Sequence, residues 1–285
     1  VEFRKRTGSS LCYGCGKINR VDAAVCFYCG RRNPGLWGFS ASIGRLAGDF
    51  DFARTVIAAC VVAYVASLLL DLPAAMRMRG LFSILSPGLA ALNALGMTGS
   101  YAWAHGRWWT VLTAIYLHGG LLHLLFNLLW VSQLAPEVEE LFGRARLMVI
   151  WSVGGALGFI VSDVAGVSLS IGASGAIMGL LGALVAYGRR RGGTFGVAIM
   201  RQYAYWAIIL FVLGFLMPGV NNLAHAGGFA GGYLAGAALG SRERRPERSR
   251  DGLLAGAALA LTVVSFAAAH WTAFMPWAGT ACPRC

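Results

Sequence analysis

Apolar runs recur along most of the chain after a polar beginning. They cover about 53–70, 108–133, 147–162, 174–188, 203–217, 223–240 and 253–271. A helix needs roughly 20 apolar residues to cross a bilayer, and the shorter runs reach that length only with their flanks. The pattern predicts seven membrane-spanning helices. Residues 71–107 form a partly apolar connection with Pro, Gly and aromatic residues, suited to an interfacial or re-entrant element. Residues 1–50 show no sustained periodicity and read as a small polar module followed by a linker.

Composition supports a membrane class. The chain is 57% hydrophobic and 13% charged, with a mean hydropathy of +0.63. Soluble domains carry roughly 25% charged residues. The formal charge of +12 would suggest nucleic acid in a soluble protein. Here the basic residues fall between apolar runs, so topology explains them and no nucleic-acid partner is expected. The first 50 residues are too polar to hold the apolar stretch of a cleavable signal peptide.

The Lys and Arg distribution predicts orientation. With the N-terminus inside, the inner segments carry nine (1–54), two (Arg144, Arg146), four (Arg189, Arg190, Arg191, Arg201) and five (Arg242, Arg244, Arg245, Arg248, Arg250) of the 24 basic residues. Only Arg77, Arg79, Arg107 and Arg284 remain outside. The expected protein is integral and multi-pass, in the inner membrane if bacterial, with its N-terminus cytoplasmic and its C-terminus outside.

Spans two, four and six then run in the same direction, and their first turns share one shallow depth. His118, His123 and Asn127 fall in the first part of span two. Ser174 opens span four, and Asn221, Asn222 and His225 open span six. Polar side chains in membrane segments are costly and face an interior or a wet cavity. Small residues recur at every fourth position in span four (Gly175, Gly179, Ala183) and in span six (Ala224, Gly228, Gly232, Gly236). Such ridges let backbones approach closely. On their own they are ordinary packing; here a Ser and a His sit at matching ends of both.

That pairing has a chemistry. Gly172-Ala173-Ser174-Gly175 puts a hydroxyl at a helix start, where free backbone N–H groups and the dipole suit an oxyanion. A hydroxyl is a weak nucleophile and needs an adjacent base, and His225 is the candidate. Asp163 is the only acidic residue between Glu140 and Glu243, so the site would be a Ser–His dyad without a carboxylate. His123 and Asn127 are four apart and share a helix face. They either donate to a tetrahedral oxyanion or bond backbone carbonyls and lock helices, and the latter reading holds for His118 as well.

Taken together, these pieces resemble the rhomboid family over about residues 55–240. They are His118-Gly-Gly-Leu-Leu-His123-Leu-Leu-Phe-Asn127, Pro136-Glu137-Val138-Glu139 through Gly143, Gly172-Ala173-Ser174-Gly175, and Asn222-Leu223-Ala224-His225-Ala226-Gly227-Gly228. The resemblance implies an all-α membrane protein with a six-helix protease core that cuts transmembrane substrates near the membrane surface. It implies Ser174 as nucleophile, His225 as general base, and His123 and Asn127 as oxyanion donors. It implies supporting roles for His118, Gly172 and Gly175, and no cofactor for catalysis. The span after residue 250 resembles the variant with an appended seventh helix. Three positions depart from the family pattern: Thr110 where an Arg is usual, Ala135 where a Gly begins a turn motif, and Met178 where an aromatic is common.

Hydrolysis needs a substrate helix that unwinds, and free backbone amides are costly in hydrocarbon. Substrates with Gly, Ala, Ser or Pro near the scissile bond are therefore expected. Two other readings are a catalytically silent rhomboid-like protein that binds membrane helices and a small transporter or channel. The first should lack Ser or His at the dyad, and the second lacks an evident charged pair or inverted repeat.

Near the start, Cys12-Tyr-Gly-Cys15 and Cys26-Phe-Tyr-Cys29 form an internal repeat, each followed by Gly and a basic residue. Two such knuckles supply four thiolates for a tetrahedral, structural zinc in a zinc-ribbon-like module. The expected organisation is 1–35 zinc-ribbon-like cytosolic module, 36–52 linker, 53–240 six-helix core, and 241–285 basic loop, seventh helix and outer tail. Cys282 and Cys285 suggest no more than a tight disulfide. The sequence leaves the substrate and the oligomeric state open.

Overall fold

The structure is a computed structural model that describes residues 4–13, 17–30, 32–40, 51–77, 84–217 and 219–274. Cys15, Cys282, Cys285, most of the expected linker and residues 78–83 of the long connection lie outside the described residues. The chain divides into two compact units, Val1–Asp51 and Phe52–Cys285.

In the first unit, β1 (Ser9–Leu11) and β2 (Ile18–Arg20) pair antiparallel, with Ser10 opposite Asn19. Their side chains alternate, so Ser10 and Asn19 face inward while Leu11 and Ile18 face out. Gly35 closes over this hairpin, where a Cβ would come within 2.7 Å of Ser10 Oγ. Cys12 follows β1 directly, and Cys26 and Cys29 lie on the turn beyond β2.

The second unit is helical. In chain order its elements are α1 (Phe52–Leu70), α2 (Leu72–Ala75), α3 (Leu89–Ala94), α4 (Ser100–Ala104), α5 (Thr110–Thr113), a 3-10 turn (Ala114–Tyr116), α6 (Leu121–Phe142), α7 (Arg144–Val164), α8 (Ser174–Arg191), α9 (Gly193–Leu216), α10 (Asn222–Leu239) and α11 (Ser249–Phe274). Among the described residues, five helices are long and apolar enough to cross a membrane: α1, α6, α7, α9 and α11. Their outward residues are aliphatic and exposed, among them Val62, Leu69, Ile208, Leu216, Leu253 and Val264. An apolar surface of that extent belongs in lipid, and the protein is an integral multi-pass membrane protein.

The two remaining long helices, α8 and α10, fall short because their composition answers to protein neighbours. They pack against each other and against α7 through glycine. A Cβ on Gly228 would lie 2.1 Å from the Gly175 carbonyl oxygen, one on Gly232 1.8 Å from that of Gly179, and one on Gly236 3.0 Å from Ala183 Cα. Gly154 of α7 comes equally close to Gly179, and Gly158 to the Ala224 carbonyl. The small-residue ridges read from the sequence are this contact surface.

The predicted second span differs from what forms. The apolar run 108–133 is three pieces: α5, the 3-10 turn, and α6, which starts only at Leu121. Gly119 and Gly120 separate them, and Gly120 is fully extended. At the other end α6 continues through Pro136 to Phe142, beyond the apolar run. Val138 and Phe142 are buried and hold that last stretch to the core. His118 therefore precedes the helix.

Helix α11 is anchored by an ion pair. Arg146 and Asp251, both fully buried, meet at 2.9 Å. Arg146 also donates to the carbonyls of Gly240, Arg245 and Pro246, and Glu247 accepts from the backbone N–H of Ala145 at the start of α7. Toward the other end, Phe266 of α11 meets Tyr116.

Candidate active site

The chain before Ser174 is held in a defined path. Thr98 and Ser170 exchange backbone hydrogen bonds at 3.2 and 2.8 Å. The Gly172 N–H then donates to the Ala114 carbonyl at 2.9 Å. Gly172 takes φ +122°, open to glycine but strained for other residues. The chain turns there, and α8 begins at Ser174 with Ala173 as a cap that offers no side-chain bond. The backbone N–H groups of the first turn thus have no partner within the helix. Ser174 is half-buried.

His225 lies one turn into α10 and is 6% exposed. A Cβ on Gly175 would touch the Ala224 carbonyl oxygen at 3.4 Å. The turn bearing Ser174 therefore abuts the turn bearing His225. Neither ring nitrogen of His225 has a hydrogen-bond partner among the described residues, so the direct Ser174–His225 hydrogen bond expected from the sequence is not formed. Catalytic hydrogen bonds are often loose in a resting site and tighten with substrate.

His123 approaches from α6. Its Nδ1 accepts the Gly119 N–H at 3.4 Å, which leaves the proton of a neutral ring on Nε2. That nitrogen faces Gly172: a Cβ there would lie 2.8 Å from His123 Nε2 and 4.0 Å from Ser174 Oγ. A donor and a hydroxyl thus flank one glycine. Asn127 is buried, and one of its amide hydrogens goes to the His123 carbonyl at 2.8 Å, a local helix bond that leaves the second hydrogen uncommitted. His118 is fully buried, lies edge-on to His123 with ring centroids 5.1 Å apart, and contacts the Tyr116 carbonyl at 3.3 Å.

Behind the site is a polar network that sequence reasoning did not foresee. Thr98 Oγ1 donates to Asp163 at 2.7 Å, and Thr110 Oγ1 lies 3.1 Å from Thr98 Oγ1. Arg107 donates to the Asn93 side chain and carbonyl at 2.7 and 2.8 Å. The Thr98–Asp163 bond ties the connection before α6 to α7, and the Arg107–Asn93 bonds brace the connection itself, with Thr110 buried beside Thr98. The only sequence signal was Asp163 itself, a lone acid in an apolar run. Ala135 and Met178 are both buried in the core.

In the first unit, the sulfurs of Cys12, Cys26 and Cys29 lie within 4.8 Å of one another, Cys12 and Cys29 at 3.8 Å. Tetrahedral zinc with Zn–S bonds of about 2.3 Å sets its sulfurs about 3.8 Å apart, so the cluster could hold a metal. Burial pushes the Cys26 thiol up, but the backbone N–H groups of Cys29 and Tyr28 and the Asn19 amide bond its sulfur and bring it down to about 6. Asn19 spans the knuckle, donating to Cys26 at 3.3 Å and accepting from the Phe27 N–H at 3.2 Å.

The chain is similar to known proteins over much of its helical unit. The Rhomboid domain profile matches residues 105–242, a stretch that holds His118, His123, Asn127, Ser174 and His225 and leaves out the cysteine module and α11. The Rhomboid protease GluP of Bacillus subtilis is 37% identical over 155 residues, covering 54% of this chain and 31% of GluP. RHOMBOID-like protein 5 of Arabidopsis thaliana is 34% identical over 164 residues, covering 55% of this chain and 52% of its own length. The Bacillus subtilis protein YdcA is 32% identical over 133 residues, covering 46% of this chain and 67% of YdcA.

Proposed function

This chain belongs to the rhomboid family, and from that premise we propose that it is an intramembrane serine endopeptidase working through a Ser174–His225 dyad. The observation that carries the reading is the backbone contact of Gly175 with Ala224, which sets the nucleophile's turn against the base's turn. Ser174 Oγ attacks the scissile carbonyl while His225 takes its proton. Negative charge then develops on the carbonyl oxygen, beside the His123 Nε2–H, the free Asn127 amide hydrogen and the Ser174 backbone N–H. As the intermediate collapses, the C–N bond breaks and His225 returns the proton to the leaving amine. Water repeats the sequence on the acyl-enzyme and frees Ser174. No cofactor enters this chemistry.

The substrates are transmembrane segments that enter from lipid and unwind near the membrane surface. The seven long helices among the described residues support seven crossings, a six-helix core plus α11, and the basic residues support an N-terminus in the cytoplasm. Cys12, Cys15, Cys26 and Cys29 would hold a structural zinc, stabilising a module too small to bury much core.

One observation favours a second reading, a family member that binds membrane helices without cutting them: the direct Ser174–His225 hydrogen bond is not formed. The deciding experiment reconstitutes the protein in liposomes with a panel of single-span substrates. The protease reading expects cleavage of segments carrying Gly, Ala, Ser or Pro and little cleavage of a uniform Leu helix. Substrate bound but intact across the panel would favour the second reading.

A further inference from the structure

We propose that Asn221 is the positioning residue that sets where Ser174 stands relative to His225, an inference that rests on the dyad reading above. Asn221 immediately precedes α10. Its Oδ1 accepts the Ala224 N–H at 3.0 Å, and its backbone carbonyl accepts the His225 N–H at 3.1 Å. Its Nδ2 donates to Ser170 Oγ at 2.8 Å and to Ser162 Oγ at 2.5 Å. The amide orientation is decided by chemistry, because a backbone N–H can only donate and so requires the oxygen opposite it. Both amide hydrogens and the oxygen are then used.

The partners make this more than a helix cap. Ser170 lies on the extended segment that delivers Ser174, the segment already paired with Thr98 and tied through Gly172 to Ala114. Ser162 is on α7, beside the Asp163 that holds Thr98. One half-buried side chain therefore joins the nucleophile's approach, the base's helix and the helix behind both. A cap needs only the oxygen; the amide hydrogens are what cross to the nucleophile's side. Glycine ridges fix how close α8 and α10 come, and the backbone bonds to Thr98 and Ala114 hold the segment before Ser174 to the connection ahead of α6. The Asn221–Ser170 bond is what ties that segment to the start of the base's helix.

Two substitutions separate positioning from capping. Asn221→Ser keeps a cap oxygen but is too short to reach Ser162 or Ser170. Asn221→Asp keeps the cap, and both serine hydroxyls can turn to donate to its carboxylate. We expect the full-length Asn221→Ser protein to melt close to wild type while kcat falls about ten- to one-hundred-fold, the scale of a misplacement near 1 Å. KM should change less than about twofold, because substrate binding is untouched. Asn221→Asp should recover kcat to within about threefold of wild type by restoring the bonds. Labelling of Ser174 by a fluorophosphonate should slow in the same order. Asn221→Ser with wild-type kcat and labelling would reduce the residue to a cap and overturn the inference alone, as would a kcat loss matched by lost folded protein. A wild type inert to both probe and substrates would overturn the dyad reading and this inference with it.

Discussion

Gly175 and Gly228 meet backbone to backbone, so close that a methyl on Gly228 would lie 2.1 Å from the Gly175 carbonyl oxygen. Nothing flexible is there to yield, since the obstructing atoms are main chain. Gly228→Val should therefore force α8 and α10 apart and destabilise the protein by about 1–3 kcal/mol or more. Gly256 of α11 provides the comparison, because none of the described residues lies within 4 Å of a Cβ built there. Thermal melting in detergent should show a large drop for Gly228→Val and little change for Gly256→Val. Equal melting temperatures would remove the glycine contact as the organising feature of the site.

This contact was legible in the chain because its period is short: small residues every fourth position declare one helix face. The start of α6 was not, because hydropathy runs unbroken from Trp108 to Val131 and is blind to the break at Gly119 and Gly120. The polar ties were hidden for a different reason. Thr98 and Asp163 are 65 residues apart and Arg146 and Asp251 105 apart, and no local pattern announces such pairs. Ser174 and His225 stood out because each sits one residue from the start of a ridge; Asn221 showed only as a polar residue opening span six, because its partners, Ser162 and Ser170, look like ordinary small polar residues.

His123 gives the sharpest test of the oxyanion role. Its Nδ1 is committed to the Gly119 N–H, and its Nε2 faces Gly172 beside Ser174. His123→Ala should lower kcat by about 10²–10³, the usual effect of removing one oxyanion donor, with a small change in KM. Gly172→Ala should do comparable damage, because its methyl would lie 2.8 Å from His123 Nε2 on a backbone with φ +122°. Steady-state kinetics on a cleavable single-span substrate checks both, and unchanged kcat in His123→Ala would exclude it as a donor.

The Arg146–Asp251 pair predicts a loss of stability remote from the chemistry. Both groups are fully buried, and removing one partner strands the other's charge. Asp251→Ala should cost roughly 3–5 kcal/mol and loosen α11 from α7. Hydrogen exchange should rise first in α11 and the 240–251 connection. A melting temperature and exchange pattern equal to wild type would show that α11 is held by lipid and apolar packing alone.

For the cysteine module, metal analysis of the purified protein should find about one zinc per chain, held by four thiolates. Cys26→Ser should lower that content and expose residues 4–40 to protease, while the membrane unit stays folded. Zinc-free wild-type protein with an intact module would contradict the assignment.

The most direct measurement of the central claim is intact-mass analysis after treatment with a fluorophosphonate. A hydroxyl reacts readily with such a probe only when a base activates it. The account predicts one adduct on wild-type protein, mapped by peptide sequencing to Ser174, and none on folded Ser174→Ala or His225→Ala. An adduct that persists in Ser174→Ala, or a folded wild type that takes none, would contradict it.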